Sequence, residues 1–426
     1  MAPLASSKSQ PHLLDPQVLV EDNPFSRTLI LNRPKQLNAL SYQMISRLFE
    51  LFLAYEKDPN VKLLLLKGNG RAFCAGGDVA AVVRDIREVN WKSGAEFFGK
   101  EFTLNYILAT YSKPQVSILD GIVMGGGAGA SMHGRFRVAT ENSVFAMPET
   151  ALGLFPDVGA SYFLSRLPGF FDKKKMKLSF FAIMKALGFT HCHAFMEAIT
   201  FHAVLLMSWL GEYVGLTGAR LDGAEMLMCG LATHFVPSAK LPLLEEALVN
   251  LDSSDPAMIS AIIDEYSERP FLKGKSAYHQ LDVIDKCFSL RTVEAILSAL
   301  EKEAVNMKED WFSAAVQSLK KASPTSLKIS LKSIREGRLQ GVGQCLVREY
   351  RMVCHVMQGK LSKDFFEGCR AILLDKDKNP KWEPSQLDLV SDTVVEEYFS
   401  KVDDEEWEEL KLPARFNLPG HAIAKL

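Results

Sequence analysis

Apolar and polar positions alternate along Val18–Leu31 around Asp22-Asn23-Pro24, which predicts a β-hairpin turning at that tripeptide. Beyond the loop Asn32–Asn38 the period changes. Met44, Ile45, Leu48, Leu51, Phe52 and Tyr55 recur at helical spacing behind Ser41, so a capped helix is expected to run to about Glu56 and to stop at Asp58-Pro59. Val61–Leu66 is a short run with almost no polar break, the pattern of a strand buried on both faces. Gly76–Gly77 then read as a tight turn and Asp78 as a helix start, with helix over 79–111 interrupted by a loop near Asn90–Gly94. Strands are expected at Gln115–Leu119, Phe136–Ala139 and Ser143–Ala146, and a helix at Val158–Arg166 stopped by Pro168-Gly169. Strand, strand and helix in repetition predict an α/β core, a spiral of ββα units with parallel packing. Asp222 and Glu225 are spaced as a capping box, and Leu231–Val236 reads as a further strand.

From residue 241 the period is helical over 241–250, 255–267, 291–304, 309–321, 324–336, 342–357 and 363–374, punctuated by Pro256, Gly274, Pro324 and Gly341. This divides the chain into a leader (1–16), an α/β core (17–240) and a mostly helical C-terminal region (241–426). One segment breaks the pattern. Residues 172–210 open with Asp-Lys-Lys-Lys-Met-Lys and continue rich in Phe, Met and Leu. Deleting them joins two stretches of ordinary character, so they read as an anomalous insertion, of the kind that translated intron sequence would give. A membrane span is disfavoured, because the uncharged run falls short of the roughly 18–20 residues a crossing helix needs.

Composition narrows the class. The chain has 426 residues, 47% hydrophobic and 23% charged, which suffices for two structural units and a sizeable core. The formal net charge of −2 gives no general attraction for nucleic acid. Seven cysteines are scattered without a Cys-x-x-Cys pair, which suits reduced intracellular thiols. His191-Cys192-His193 is too tight for a familiar zinc arrangement, so no metal is expected.

The chemistry is concentrated in two glycine-rich loops and two acids. Gly125, Gly126 and Gly127 are followed by small residues, so the backbone can approach a ligand closely and wind into a helix whose first N–H groups lack internal partners. The run is neither a dinucleotide fingerprint nor a Walker loop. Gly76–Gly77, after an apolar run, offers backbone N–H groups in the same way. Two such loops can form an oxyanion hole, each donor contributing roughly 3–4 kcal/mol to transition-state stabilisation. Glu149 and Asp157 each follow a proline among apolar residues. Either acid alone reads most simply as a turn or helix cap.

Taken together, Ala72–Asp78 (AFCAGGD), Gly121–Ser131 (GIVMGGGAGAS) and Met147–Gly169 resemble the crotonase (enoyl-CoA hydratase/isomerase) superfamily, most closely its 3-hydroxyisobutyryl-CoA hydrolase branch. The likeness is clear over roughly 17–171 and 211–240 and weaker to about 384. It implies a crotonase-like spiral and an acyl-CoA substrate, with thioester hydrolysis in valine catabolism as the leading activity and fatty-acid β-oxidation chemistry close by. No cofactor is implied beyond the coenzyme A of the substrate. Where hydratases carry a glutamate after the glycine run this chain has Gly129, and where they carry a glycine it has Asp157. The resemblance therefore implies Glu149 and Asp157 as catalytic acids and the amides of Gly77 and Gly126 as the oxyanion hole. Glu149 would act as nucleophile or as general base. Glu101 becomes a substrate-site residue, although a helical glutamate ordinarily faces water. Lys35 becomes a contact for a coenzyme A phosphate, with a solvated lysine the equally simple reading. An enoyl-CoA hydratase or isomerase, or a catalytically silent crotonase-like subunit, is the alternative. The resemblance leaves room for a homo-oligomer. The last residues, Ala424-Lys425-Leu426, resemble the peroxisomal Ser-Lys-Leu signal, which implies an import receptor as partner and the peroxisome as destination, with mitochondrion or cytosol as alternatives.

Overall fold

The computed structural model describes residues 16–167, 209–306 and 309–415. The expected leader up to residue 15, the interior of the expected insertion and the C-terminal tripeptide lie outside them.

The hairpin forms as expected, with β1 (Val18–Asp22) antiparallel to β2 (Ser26–Leu31). α1 (Tyr42–Lys57) starts on Ser41, whose Oγ accepts the Met44 N–H at 3.1 Å, and buries Met44, Ile45, Leu48, Leu51 and Phe52. From there the chain repeats one unit. β3 (Leu63–Gly68) and β4 (Ala72–Cys74) are followed by α2 (Val79–Glu88) and α3 (Trp91–Ala109). β5 (Gln115–Leu119) and β6 (Ile122–Met124) are followed by α4 (Gly126–Met132). β7 (Phe136–Ala139) and β8 (Val144–Ala146) come next. The first strand of each unit enters a six-stranded sheet and the second a four-stranded sheet. β9 (Leu221–Asp222) and β10 (His234–Phe235) complete the orders β1-β2-β3-β5-β7-β10 and β4-β6-β8-β9. Within these sheets only β1/β2 and β8/β9 are antiparallel.

The apolar runs are buried on both sides, as their lack of alternation requires. Leu64 and Leu66 join the main core, whereas Leu63 and Leu65 face a second cluster closed by Leu241, Leu244, Leu248, Ile259 and Ile263. The main core does not stop at residue 240. Ile334, Leu346, Met352 and Phe365 of the helical region share it with Phe73, Phe102 and Phe163.

Three local readings change. α3 begins directly at Trp91, because Asn90 caps it through Lys92 N–H, so the break after α2 is shorter than expected. The helix expected over Val158–Arg166 is one turn, α5 (Ala160–Phe163), followed by a 3₁₀ turn. It starts late because Val158 and Gly159 both have positive φ, 55° and 83°, which no α-helix accommodates. A helix at Leu281–Phe288 carries no strong boundary signal in the sequence. The described chain resumes at Trp209. Trp209 and Leu210, the last residues of the expected insertion, are packed into the fold: Trp209 N–H donates to Asp285 at 2.8 Å, its ring faces Arg338, and Leu210 is fully buried at the start of the helix Leu210–Thr217.

Candidate active site

The parallel order β4-β6-β8 determines where the site lies. Three successive loops leave the same ends of three neighbouring strands, so motifs tens of residues apart meet in space. Ala75–Asp78 follows β4, the glycine run follows β6, and Met147–Glu149 follows β8. Carboxyl ends of parallel strands are where ligands bind in α/β folds.

The two amides expected to form an oxyanion hole are adjacent. A Cβ added to Gly126 would stand 3.0 Å from Gly77 N and 2.5 Å from Glu101 Oε1, so only glycine fits there. The loop carrying Gly77 is fixed by Leu40, whose N–H donates to Gly76 O at 2.8 Å and whose carbonyl accepts Asp78 N–H at 2.9 Å. Gly77 N–H lies between these two bonds and Gly126 N–H opens α4. Among the described residues neither donates to a protein acceptor. Two free amide donors held close together are what a developing oxyanion requires.

Three buried carboxyls belong to this region: Glu101 and Glu149 lie against the glycine loop, and Asp157 is close enough to feel both of their charges. Glu101, from the middle of α3, is buried with Oε1 unpartnered, contrary to the ordinary expectation for a helical glutamate. Glu149 opens a 3₁₀ turn behind Pro148, and its Oε1 lies 2.8 Å from where a Cβ on Gly125 would stand, with Oε2 buried and unpartnered. Asp157 is buried as well. Burial pushes the Glu101 carboxyl up to about 8, and burial together with the Glu101 charge pushes Glu149 to about 8. Burial, then the charges of Glu149, Glu101 and Glu349, hold Asp157 well above the usual carboxylate range. Near neutral pH this cluster holds protons and can give or take them, the condition for acid–base or nucleophilic work.

Similarity to known proteins fits this geometry. The enoyl-CoA hydratase/isomerase family model matches residues 26–173 and 198–399, leaving unmatched a stretch inside the expected insertion. A protein of Arabidopsis thaliana named 3-hydroxyisobutyryl-CoA hydrolase 1 is 64% identical over 96% of this chain and 98% of its own length. The chain belongs to the enoyl-CoA hydratase/isomerase family. Among solved structures, a carnitinyl-CoA dehydratase from Mycobacterium thermoresistibile is 32% identical, with a TM-score of 0.76, covering 94% of this chain and 99% of that one. Family members carry other names too: a small ribosomal subunit protein of Arabidopsis thaliana is 43% identical over 93% of this chain and 88% of its own length.

Within the family, position 129 is informative. A Cβ on Gly129 would meet Val158 Cβ at 2.6 Å and Asn105 Nδ2 at 2.9 Å. Val158 therefore occupies the space a side chain from α4 would need, and the carboxyl beside the glycine loop comes from α3, as Glu101. Lys35 is placed differently from the acids. It lies exposed on a 3₁₀ turn, Pro34–Gln36, in the loop that runs beside Ala75–Gly77. Its neighbour Arg33 holds Asp78 at 3.0 Å.

The acid loops are braced by the helical region. Ser323 N–H donates to Thr150 O at 3.1 Å, and Gly153 packs directly on the backbone of Asp364. His133 Nε2 donates to Val158 O at 2.8 Å. Glu349, from the helix Val342–Gln358, accepts hydrogen bonds from Gly159 and Ser161. Neither His133 nor Glu349 is marked by any local motif. Only the fold brings them to the site. Among the described residues no helix is long and apolar enough to cross a membrane.

Proposed function

We propose that the protein hydrolyses the thioester of 3-hydroxyisobutyryl-CoA to the free acid and coenzyme A. The observation that carries the reading against a hydratase is the filling of position 129 by Val158, together with a buried aspartate, Asp157, within electrostatic reach of Glu149. The 64% identity to a relative of that name supports the substrate.

The thioester carbonyl oxygen accepts the Gly77 and Gly126 N–H groups. Ionised Glu149 either adds to the carbonyl carbon, so that the C–S bond breaks, coenzyme A leaves and water cleaves the mixed anhydride, or takes a proton from the attacking water. In either route the C–S bond is replaced by a C–O bond, one proton of the consumed water ends on the departing coenzyme A sulfur, and Glu149 returns to its carboxylate. Asp157 orients that water or the substrate hydroxyl, Glu101 lines the acyl site, and Lys35 contacts a coenzyme A phosphate. No cofactor enters apart from the coenzyme A of the substrate. The reaction belongs to valine degradation, with fatty-acid β-oxidation as neighbouring chemistry, and Ala424-Lys425-Leu426 directs the chain to the peroxisome through an import receptor.

The family also includes a relative named as a ribosomal subunit protein, so a binding role is the second reading. The complete set Gly77, Gly126, Glu149 and Asp157 favours the enzyme. A side-by-side assay separates the readings. Thiol release from 3-hydroxyisobutyryl-CoA without loss of enoyl absorbance from crotonyl-CoA supports hydrolysis. The opposite pattern supports a hydratase, and silence on both supports a binding role.

A further inference from the structure

The loop carrying Asp157 is held in a conformation its sequence disfavours. Val158 has φ +55°, a region that β-branched residues rarely enter, and Gly159 follows at +83°. Such strain persists only where surrounding contacts determine it. On one side His133 Nε2 holds Val158 O at 2.8 Å, and the His133 ring packs where a Cβ on Gly159 would stand. On the other side Glu349, fully buried, takes three hydrogen bonds from the same loop. Gly159 N–H donates to its Oε2 at 2.6 Å, Ser161 N–H to Oε1 at 3.0 Å and Ser161 Oγ–H to Oε1 at 2.5 Å.

We propose that Glu349 is a positioning residue of the active site, clamping Asp157-Val158-Gly159 in the left-handed turn that places the Asp157 carboxyl beside Glu149. This rests on the thioesterase reading, in which Asp157 takes part. The clamp comes from the helical region, 188 to 190 residues along the chain from its partners. It gives that region a role in the chemistry as well as in the core. The helix that bears it also packs on α3, where Tyr350 meets Gly99 and Met357 meets Gly94, so one helix braces the elements carrying Glu101 and Asp157. A carboxylate is required. Both oxygens accept a backbone N–H, so an amide at this position would set its own NH₂ against a backbone donor in either orientation.

The test uses the full chain and Glu349→Gln. The clamp predicts that kcat for 3-hydroxyisobutyryl-CoA falls by about tenfold or more while KM stays within about twofold, since the coenzyme A portion is bound by other loops. It also predicts that Val158 leaves the left-handed region in a crystal structure of the variant. Glycine adopts that φ freely, so adding Val158→Gly should recover about threefold or more of the lost kcat. A role in stability alone would lower the melting temperature and leave kcat unchanged well below it. A kcat within about twofold of the parent, or a Val158 that keeps its positive φ without the carboxylate, overturns the clamp. If Glu349→Gln does not fold alone, the double variant against Val158→Gly gives the same comparison. A parent that releases no thiol refutes the thioesterase reading instead, and the Val158 conformation in the variant still decides the clamp.

Discussion

Replacing Glu149 with Gln should cost activity and add stability, and the gain should depend on pH in a defined direction. The change keeps the shape of the side chain and removes its charge. In the fold, burial and then the Glu101 charge raise the Glu149 carboxyl from an ordinary value of 4.5 to about 8. An acid whose folded pKa is raised favours folding in its protonated form. Well below pH 4.5 both states are protonated and the group costs nothing. As pH rises the unfolded chain ionises first, so stability falls until the folded pKa is passed. At pH 7 the cost is about 3 kcal/mol, and at pH 5 it is below about 1 kcal/mol. Glutamine carries no such penalty. Glu149→Gln should therefore melt measurably above the parent at pH 7–8 and almost with it at pH 5. Its kcat should fall by about a hundredfold or more, equivalent to about 2.7 kcal/mol of lost transition-state stabilisation, while coenzyme A binding is retained. Paired calorimetry and thiol-release kinetics across that pH range test both halves. A variant no more stable than the parent at pH 8 would refute the buried, raised carboxyl. A variant keeping more than about a tenth of kcat would refute its role as nucleophile or base.

Three further outcomes are expected, two from the same geometry and one from the C-terminal tripeptide. Asp157→Gly should cut hydrolysis by about tenfold or more with binding of free coenzyme A unchanged. Parent-level turnover would make Asp157 a turn residue only. Gly129→Glu should lower the melting temperature and confer no crotonyl-CoA hydration, because Val158 and Asn105 fill the space. Measurable hydration would show that the loop yields. A reporter bearing the last ten residues should enter peroxisomes and should stay cytosolic when Leu426 is removed. Import without Leu426 would point to another signal.

Much of the fold was legible because buried strands and capped helices leave local traces. The apolar run before Lys67, Ser41 ahead of α1 and the Asp222/Glu225 capping box each appear in the structure where the pattern put them, the strand two residues late. The glycine loops were legible for the same reason, since close approach demands residues without side chains. Two things were not legible. Periodicity places Val158 in a helix, and only its packing against Gly129, with His133 and Glu349 holding the loop, explains a positive φ there. Glu101, which only the family resemblance marks, lies on a helix rich in apolar residues, and no spacing rule separates a solvent-facing glutamate from one turned toward Gly126. Both depend on contacts between residues far apart in sequence, and no local signal encodes those contacts.

In the proposed reaction a buried carboxyl, protonated near neutrality and active when ionised, cleaves a coenzyme A thioester. The most direct test is kcat/KM for thiol release from 3-hydroxyisobutyryl-CoA between pH 6 and 9.5, corrected for spontaneous hydrolysis. With Glu149 raised to about 8, the profile should climb roughly tenfold per pH unit at its acid end and level off above pH 8. A profile flat across that range, or falling through it, would rule out an ionised Glu149 as the nucleophile or base.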